Sequence, residues 1–97
     1  MDNKEVIKID ISQIPKLHLS EEDVLSSKPQ RIERRDKLIN AVKLNTQSPS
    51  PATITLRCKD RGLFELTSVI LLVSKKFLSL KGGQSIPISS IVSIVLL

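Results

Sequence analysis

The spacing of apolar residues changes once along this chain, from a helical period to the alternation of strands. Four apolar residues share one arc at about 100° per residue: Ile32, Leu38, Ile39 and Val42. Ser27 stands before this segment as an N-cap and Pro29 lies in its first turn, where its missing N–H costs nothing. Turn formers and prolines follow Asn45. The pattern predicts one amphipathic helix that ends near Asn45.

From residue 52 onward, apolar and polar residues alternate with the period of a strand. Five short segments carry the pattern: "ATITLRCK", "LFELTSVILLV", "FLSLK", "SIPIS" and "IVSIVLL". The second begins by alternating and ends apolar on both faces, as in a strand that bends from one sheet into another. "DRG" and "GGQ" are predicted turns, with Gly82 and Gly83 forming a hairpin. Five close strands indicate a small barrel or a sandwich.

The first 26 residues are patterned differently from the rest. "EVIKIDIS" alternates like a strand that either adds to a sheet edge or stays loose, and Ser20 with Asp23 has the spacing of a capping box for a short helix. Residues 1–26 hold three lysines against six acids, a net charge of −3, whereas residues 27–97 hold twelve Lys and Arg against four acids, a net charge of +8. We predict an acidic arm over 1–26 and a basic helix-plus-barrel domain over 27–97.

The basic domain supplies the only candidate site that its charge supports. Its candidate polyanion-binding residues lie on the helix and on the strand turns: Arg31, Arg34, Arg35, Lys37, Lys75, Lys76 and Lys81. Single-strand binders usually stack bases on aromatic residues, but the two aromatic residues, Phe64 and Phe77, both suit the core. Any RNA or DNA binding is therefore expected at the phosphate backbone, with strong salt dependence. The alternative is a solvated basic face without a ligand. An acidic arm that masks the basic face is a further hypothesis.

Chemistry beyond binding finds no support in the residue inventory. The single histidine, His18, stands without clustered partners, and the single cysteine, Cys58, is in phase with buried strand positions. One His and one Cys cannot complete a zinc shell. We therefore expect no catalytic residues, no metal and no cofactor, and predict that the protein is not an enzyme.

The location of the protein is predicted from its cysteine and its apolar runs. A lone cysteine and a charged start without a signal peptide favour a reducing cytoplasm. The apolar runs fall far short of the roughly 20 residues that a membrane helix needs. A cytoplasmic protein without membrane contact is expected.

The strand region carries more apolar residues than a small core needs. Of the 46 residues from 52 to 97, 23 are apolar, and the last segment, "VSIVLL", would leave an exposed hydrophobic edge. The helix, the N-terminal strand or another subunit must cover that surface. We predict an interaction module that binds an unknown protein partner or associates with itself through this apolar strand edge.

Two stretches carry a resemblance to a known group of proteins: "RRDKLINAVKLN" from Arg34 and "LTSVILLVSKKFLSLKGGQSIPISSIVSI" from Leu66. Over roughly residues 31–96 the chain resembles a family of uncharacterised small proteins common in Bacteroidetes. The resemblance implies a mainly β (α+β) fold, one helix followed by a five-stranded antiparallel SH3-like or Sm-like small barrel, and it supplies no mechanism. The family favours glycine, tryptophan and arginine where this chain has Asn45, Leu71 and Ser90.

Overall fold

The computed structural model describes residues 6–45, 47–59 and 62–97, and within them the protein is mainly antiparallel sheet with one long helix. In chain order the elements are β1 (Val6–Lys8), a 3-10 helix (Ile11–Lys16), α1 (Lys28–Asn45), β2 (Pro51–Cys58), β3 (Gly62–Val73), β4 (Phe77–Leu80), β5 (Ser85–Pro87), a second 3-10 helix (Ile88–Ser90) and β6 (Ile91–Leu96). The predicted helix and the five predicted strand segments after it are confirmed.

The long strand β3 organises the sheet. It pairs antiparallel with β2 up to Val69, and from Ile70 onward it pairs with β4 across an irregularity near Leu72. This change of partner confirms the predicted bend. The strand order is β5-β4-β3-β2-β6, with β1 parallel to β3. In the part of the chain that the structure describes, β5 and β6 are the two ends of this order and do not pair with each other, so the sheet is not closed into a barrel.

The hairpin between β4 and β5 has the predicted glycines. Gly82 has a φ of 111° and Gly83 a φ of 90°, both in the region that disfavours other residues. Gly83 N donates to Leu80 O at 3.1 Å, which closes the turn. The predicted "DRG" turn lies partly outside the described residues.

The helix buries part of the predicted face, since Leu38 lies in the core and Val42 packs against it. Leu38 and Ala41 are buried, at 0% and 1% exposure, and Arg34 is buried beside them at 7%. Ile32 and Ile39, assigned to the core face by periodicity, are 53% and 36% exposed. The assignment was therefore wrong for these two isoleucines, and the buried face instead includes Arg34, which finds its partners in Asp23 and the carbonyl of Ile91.

The core lies between α1 and the sheet. Its wholly buried large apolar side chains come from the helix and from β2, β3, β4, β5 and β6: Leu38, Ile54, Leu56, Ile70, Leu78, Leu80, Ile86 and Ile91. Asn45 ends the helix and ties it to the sheet, since its Nδ2 donates to Ile70 O and its Oδ1 accepts from Ser50 N. The first bond occupies a backbone carbonyl of β3 just past its pairing with the start of β2, and the second holds the residue that precedes β2.

The segment before the helix is fastened to the sheet at two places. At one, β1 pairs with Leu63–Glu65 of β3. At the other, Lys59 N donates to His18 O at 2.8 Å and Ser20 N to Arg57 O at 3.1 Å, so the segment continues the edge of β2 beyond β6. The alternating stretch at the start is thus a short edge strand, followed by a 3-10 helix that Asp10 caps. The assignment of residues 1–26 and 27–97 to separate units stays a prediction.

The helix predicted after Ser20 does not form. Ser20 Oγ donates to Glu22 O instead of capping a helix, and residues 20–27 are irregular. Asp23 accepts from Leu25 N at 2.9 Å and pairs with Arg34. The capping interpretation was wrong because a buried arginine competes for the same carboxylate.

Candidate polyanion-binding groove

A groove with a volume of about 490 Å³ opens between the first half of α1, the turn after β3 and the second 3-10 helix. We call it the basic groove. Its lining residues include five of the seven predicted cations, one aromatic residue and two acids: Arg31, Arg34, Arg35, Lys75, Lys76, Phe77, Glu21 and Asp23, with Pro87, Ile88 and Ser89. Cations from the helix and from a turn about 40 positions away in sequence therefore meet in one place.

The turn between β3 and β4 presents two of these cations. Ser74 N and Ser74 Oγ both donate to Phe77 O, at 2.8 and 2.9 Å, and Phe77 N donates back to Ser74 Oγ at 3.1 Å. Ile88 N donates to Lys76 O at 2.9 Å and joins the turn to the 3-10 helix. This bonding fixes the backbone, so Lys75 and Lys76 project from a rigid turn with exposed side chains.

Two helical arginines reach the groove without being buried. Arg35 Nη1 donates to Ser74 O at 3.4 Å, which brings the helix to the lysine turn. Arg31 Nε donates to Leu25 O at 2.7 Å and lies 3.7 Å from Asp23 Oδ2, with 47% of its side chain exposed. Both guanidinium groups keep donors that a phosphate oxygen can accept from.

Arg34 is held in a different way from its neighbours. Its Nη1 and Nη2 donate to the two oxygens of Asp23 at 2.9 and 2.6 Å, and Nη1 also donates to Ile91 O at 3.0 Å. Its Nε is buried and has no hydrogen-bond partner among the described residues. Arg34 therefore supports the wall of the groove, and its bonds to Asp23 join α1 to the irregular segment that precedes it.

The Asp23 carboxyl is tuned by this contact. Partial burial works to raise its pKa, but the hydrogen bonds from Arg34 and Leu25 N, with the charges of Arg34 and Arg31, outweigh burial and hold the pKa below its ordinary value. Asp23 is thus an anion whose charge is largely satisfied by arginine. It repels an approaching polyanion less than an isolated carboxylate would.

Two predicted cations lie elsewhere. Lys37 Nζ is 3.5 Å from Glu33 Oε1 and lines a smaller groove on the other side of Arg34. Lys81 lies in the hairpin after β4, where its N donates to Val69 O, and it is not among the residues that line the basic groove. These two provide natural controls for the five that converge.

Sequence reasoning missed the aromatic residue of the groove. Phe64 is buried at 6% exposure, as expected, but Phe77 is 49% exposed and lines the groove opposite Pro87 on β5. The assignment of Phe77 to the core was wrong. The signal was present, since Leu78 and Leu80 are in phase with the core and Phe77 has the opposite phase in β4.

Acidic residues lie at one rim of the groove. Glu21 is 82% exposed at its side chain and lies 3.4 Å from Lys59 Nζ. Ser89 Oγ donates to Ser20 O, and Val24 N donates to Ser89 O, which holds the acidic segment against the second 3-10 helix. The predicted arm thus borders the basic groove without filling it.

The remaining chemical candidates are placed as follows. His18 is exposed, and Cys58 is buried at 4% exposure. No group of three or more His, Cys, Asp and Glu side chains suited to a metal ion occurs among residues 6–45, 47–59 and 62–97. Over the same residues, no helix combines the length and apolar character needed to cross a membrane.

The positions at which the resembled family differs do not form the groove. Leu71 is 52% exposed on β3, and Asn45 ends the helix. Ser90 is wholly buried with its Oγ donating to Pro87 O at 2.7 Å. None of the three lines the basic groove.

Comparisons of the chain with protein-family models, with curated proteins and with solved structures found no match.

Proposed function

We propose that this protein is a non-enzymatic binding module whose basic groove holds the phosphate backbone of a nucleic acid. One observation carries the proposal: Arg31 and Arg35 on α1 converge with Lys75 and Lys76 on a rigid turn. Among the described acids none lies within ion-pair distance of Lys75 or Lys76. Cations with exposed, unneutralised charge around a concave surface attract phosphates and release counterions when they bind them.

We further propose that the fold is an open form of the SH3-like or Sm-like small barrel, because β5 and β6 do not pair among the described residues. The supporting facts are the helix before the strands and the order β5-β4-β3-β2-β6, in which a long bent strand belongs to both halves of the sheet. The resemblance to the small-protein family from Bacteroidetes is part of the same proposal. The lone buried cysteine agrees with a cytoplasmic location.

The test is binding of fluorescent RNA and DNA oligonucleotides, followed by anisotropy at about 50 and about 200 mM salt, because phosphate contacts weaken steeply over that range. The Lys75→Gln/Lys76→Gln variant should lose most of the affinity at the lower salt. Lys37→Gln/Lys81→Gln removes the same charge away from the groove and should keep most of it. Equal losses in the two variants, or no binding by the natural chain at the lower salt, would refute the proposal.

A second candidate function is protein association through the apolar strand edge. Its supporting observation is on β6 and the following residue, where Val95 is 56% and Leu97 71% exposed, and where β6 pairs with β2 but not with β5 in the described structure. Apolar side chains along an unpaired edge favour a partner strand. Light scattering after size exclusion should then show a dimer or larger species that Val95→Lys converts to monomer. A monomeric natural chain that captures no partner argues against it.

A further inference from the structure

We propose that the basic groove takes single-stranded nucleic acid and stacks one base on the exposed ring of Phe77. Arg35, Lys75 and Lys76 would hold the phosphates on either side of that base. This inference rests on the proposed function and names its substrate class. The observation that carries it is a half-exposed aromatic residue among the cations of the groove.

Phe77 is half exposed on a backbone that is fixed by hydrogen bonds. Its N and its O are both bonded to Ser74, and on the neighbouring strand it lies directly opposite Pro87. The residue nevertheless leaves 49% of its surface exposed, whereas the other aromatic residue is buried. A half-exposed ring on a fixed backbone can stack a base with little loss of conformational entropy.

The cations lie where a stacked nucleotide would carry its phosphates. Lys75 and Lys76 immediately precede Phe77 in the chain, and Arg35 reaches Ser74 O at the start of the same turn. The groove volume of about 490 Å³ is within the roughly 300–1,000 Å³ of small-ligand sites. That volume accommodates a base with its sugar and leaves the strand to run along the rim.

A single strand fits this arrangement better than a duplex. In a duplex the faces of the bases are already stacked on their neighbours, so an aromatic ring that lines a groove has no free base face to contact. A single strand exposes those faces, and stacking is tolerant of sequence because every base has a π-face. An acidic peptide would use the lysines and arginines but would gain nothing from a base platform.

The experiment compares three probes of equal length: a single-stranded oligonucleotide, the same strand with abasic sites, and its duplex. Each is titrated with the natural chain and with Phe77→Leu, Phe77→Trp and Leu72→Ala, and binding is followed by anisotropy. Leu72 is 60% exposed on β3 and is not part of the groove, so its variant is the matched control. Thermal unfolding of each variant confirms that it is folded.

Phe77→Leu should weaken binding of the single strand by roughly 5- to 150-fold, the range that base stacking on aromatic residues gives. Phe77→Trp should retain or strengthen binding, and Leu72→Ala should change nothing. The abasic strand should bind weakly to the natural chain and equally weakly to Phe77→Leu. RNA and DNA arms of the single-strand probe then report which sugar is preferred.

Three outcomes overturn the inference. They are equal affinity for the abasic and intact strands, tighter binding of the duplex, and an unchanged affinity in Phe77→Leu. Each leaves the proposed function standing if the Lys75→Gln/Lys76→Gln variant still loses binding. Absence of any polyanion binding by the natural chain refutes both together. Poly-glutamate serves as a further probe. If it binds tightly and with the same affinity to the natural chain and to Phe77→Leu, the ligand is instead an acidic protein segment.

Discussion

Arg34 and Arg35 are neighbours on α1 and carry the same charge, but the fold uses them in opposite ways. Arg34 is 7% exposed and bonds two oxygens of Asp23 and the carbonyl of Ile91. Arg35 is exposed and makes one long contact, to Ser74 O. A helix rotates by about 100° per residue, so adjacent positions face different surroundings.

The two arginines show that charges on the same helix can have different roles, one in holding the fold together and the other at an exposed surface. Arg34 joins the N-terminal segment, α1 and β6 through an ion pair between its buried guanidinium and the partly buried Asp23 carboxylate, and removal of Asp23 is costly because the buried charge is left without its partner. The groove side keeps its charges exposed to solvent, where each contributes little to folding. Charge changes on the two sides should therefore have different effects.

The largest effect is expected from Asp23→Ala. It leaves Arg34 buried without its carboxylate and should lower the free energy of unfolding by about 3 kcal/mol, measured by urea denaturation. Glu22→Ala removes an exposed neighbouring acid and should stay within about 0.5 kcal/mol of the natural chain.

An Asp23→Leu/Arg34→Met double variant sharpens that result, because it removes both charges and fills the space with apolar atoms. We expect it to be more stable than Asp23→Ala alone. If the double variant is instead the less stable of the two, packing by the Arg34 stem and not the ion pair holds the segment.

The pH dependence of stability should follow the same carboxylate. Its folded pKa lies below the ordinary value of 3.8, so the unfolded chain takes up the proton first as the pH falls. The stabilisation is complete above the ordinary value and is lost as the pH falls through the lower folded pKa. Asp23→Asn should lose less stability than the natural chain between pH about 5 and about 2, in urea titrations at each pH.

Asp10 should contribute an acid dependence of its own, which remains when Asp23 is replaced. Hydrogen bonds from the side chain and backbone of Ser12 hold its pKa below the ordinary value as well, and Asp23→Asn retains it. The residual acid dependence of Asp23→Asn is therefore expected to be shallower but not flat. Identical profiles for the two proteins would show that Asp23 contributes no linked proton.

On the groove side, Arg35→Gln combined with Lys75→Gln should change unfolding free energy by less than about 0.5 kcal/mol. It should lower the slope of log affinity against log salt by about one for each phosphate contact removed. Binding titrations at several salt concentrations measure this slope. A large loss of stability would show that these cations stabilise the fold as Arg34 does.

The smallest effect is expected from Glu21→Gln at the acidic rim. Removing this charge beside the groove should raise polyanion affinity by about twofold to threefold at low salt, and the gain should fade as salt screens it. Unchanged affinity would contradict the predicted masking by the acidic segment. Deleting residues 1–26 is a poorer test, because Ile14 is buried in the core and Asp23 supports Arg34.

Local features of the sequence predicted much of this fold. The helix from Lys28 to Asn45, the strand segments from residue 51 onward and the glycine hairpin all follow from spacing and turn chemistry. The alternation in β4 also indicates an outer position for Phe77, although Phe77 was predicted to lie in the core. For the candidate site, the sequence identified the cations but not which of them meet.

The sequence alone determined where α1 and the strands after it lie, because hydrogen-bonding period, capping and turn geometry depend on residues within a few positions. Only the tertiary structure decided that Arg34 faces inward, that Asp23 pairs with it instead of capping a helix, and that Arg35 meets Lys75 and Lys76. Those outcomes depend on contacts between residues 11 to 57 positions apart, such as Arg34 with Asp23 and Ile91. The orientation of a charged side chain is settled by the partner it finds, and the partner is brought to it by the fold.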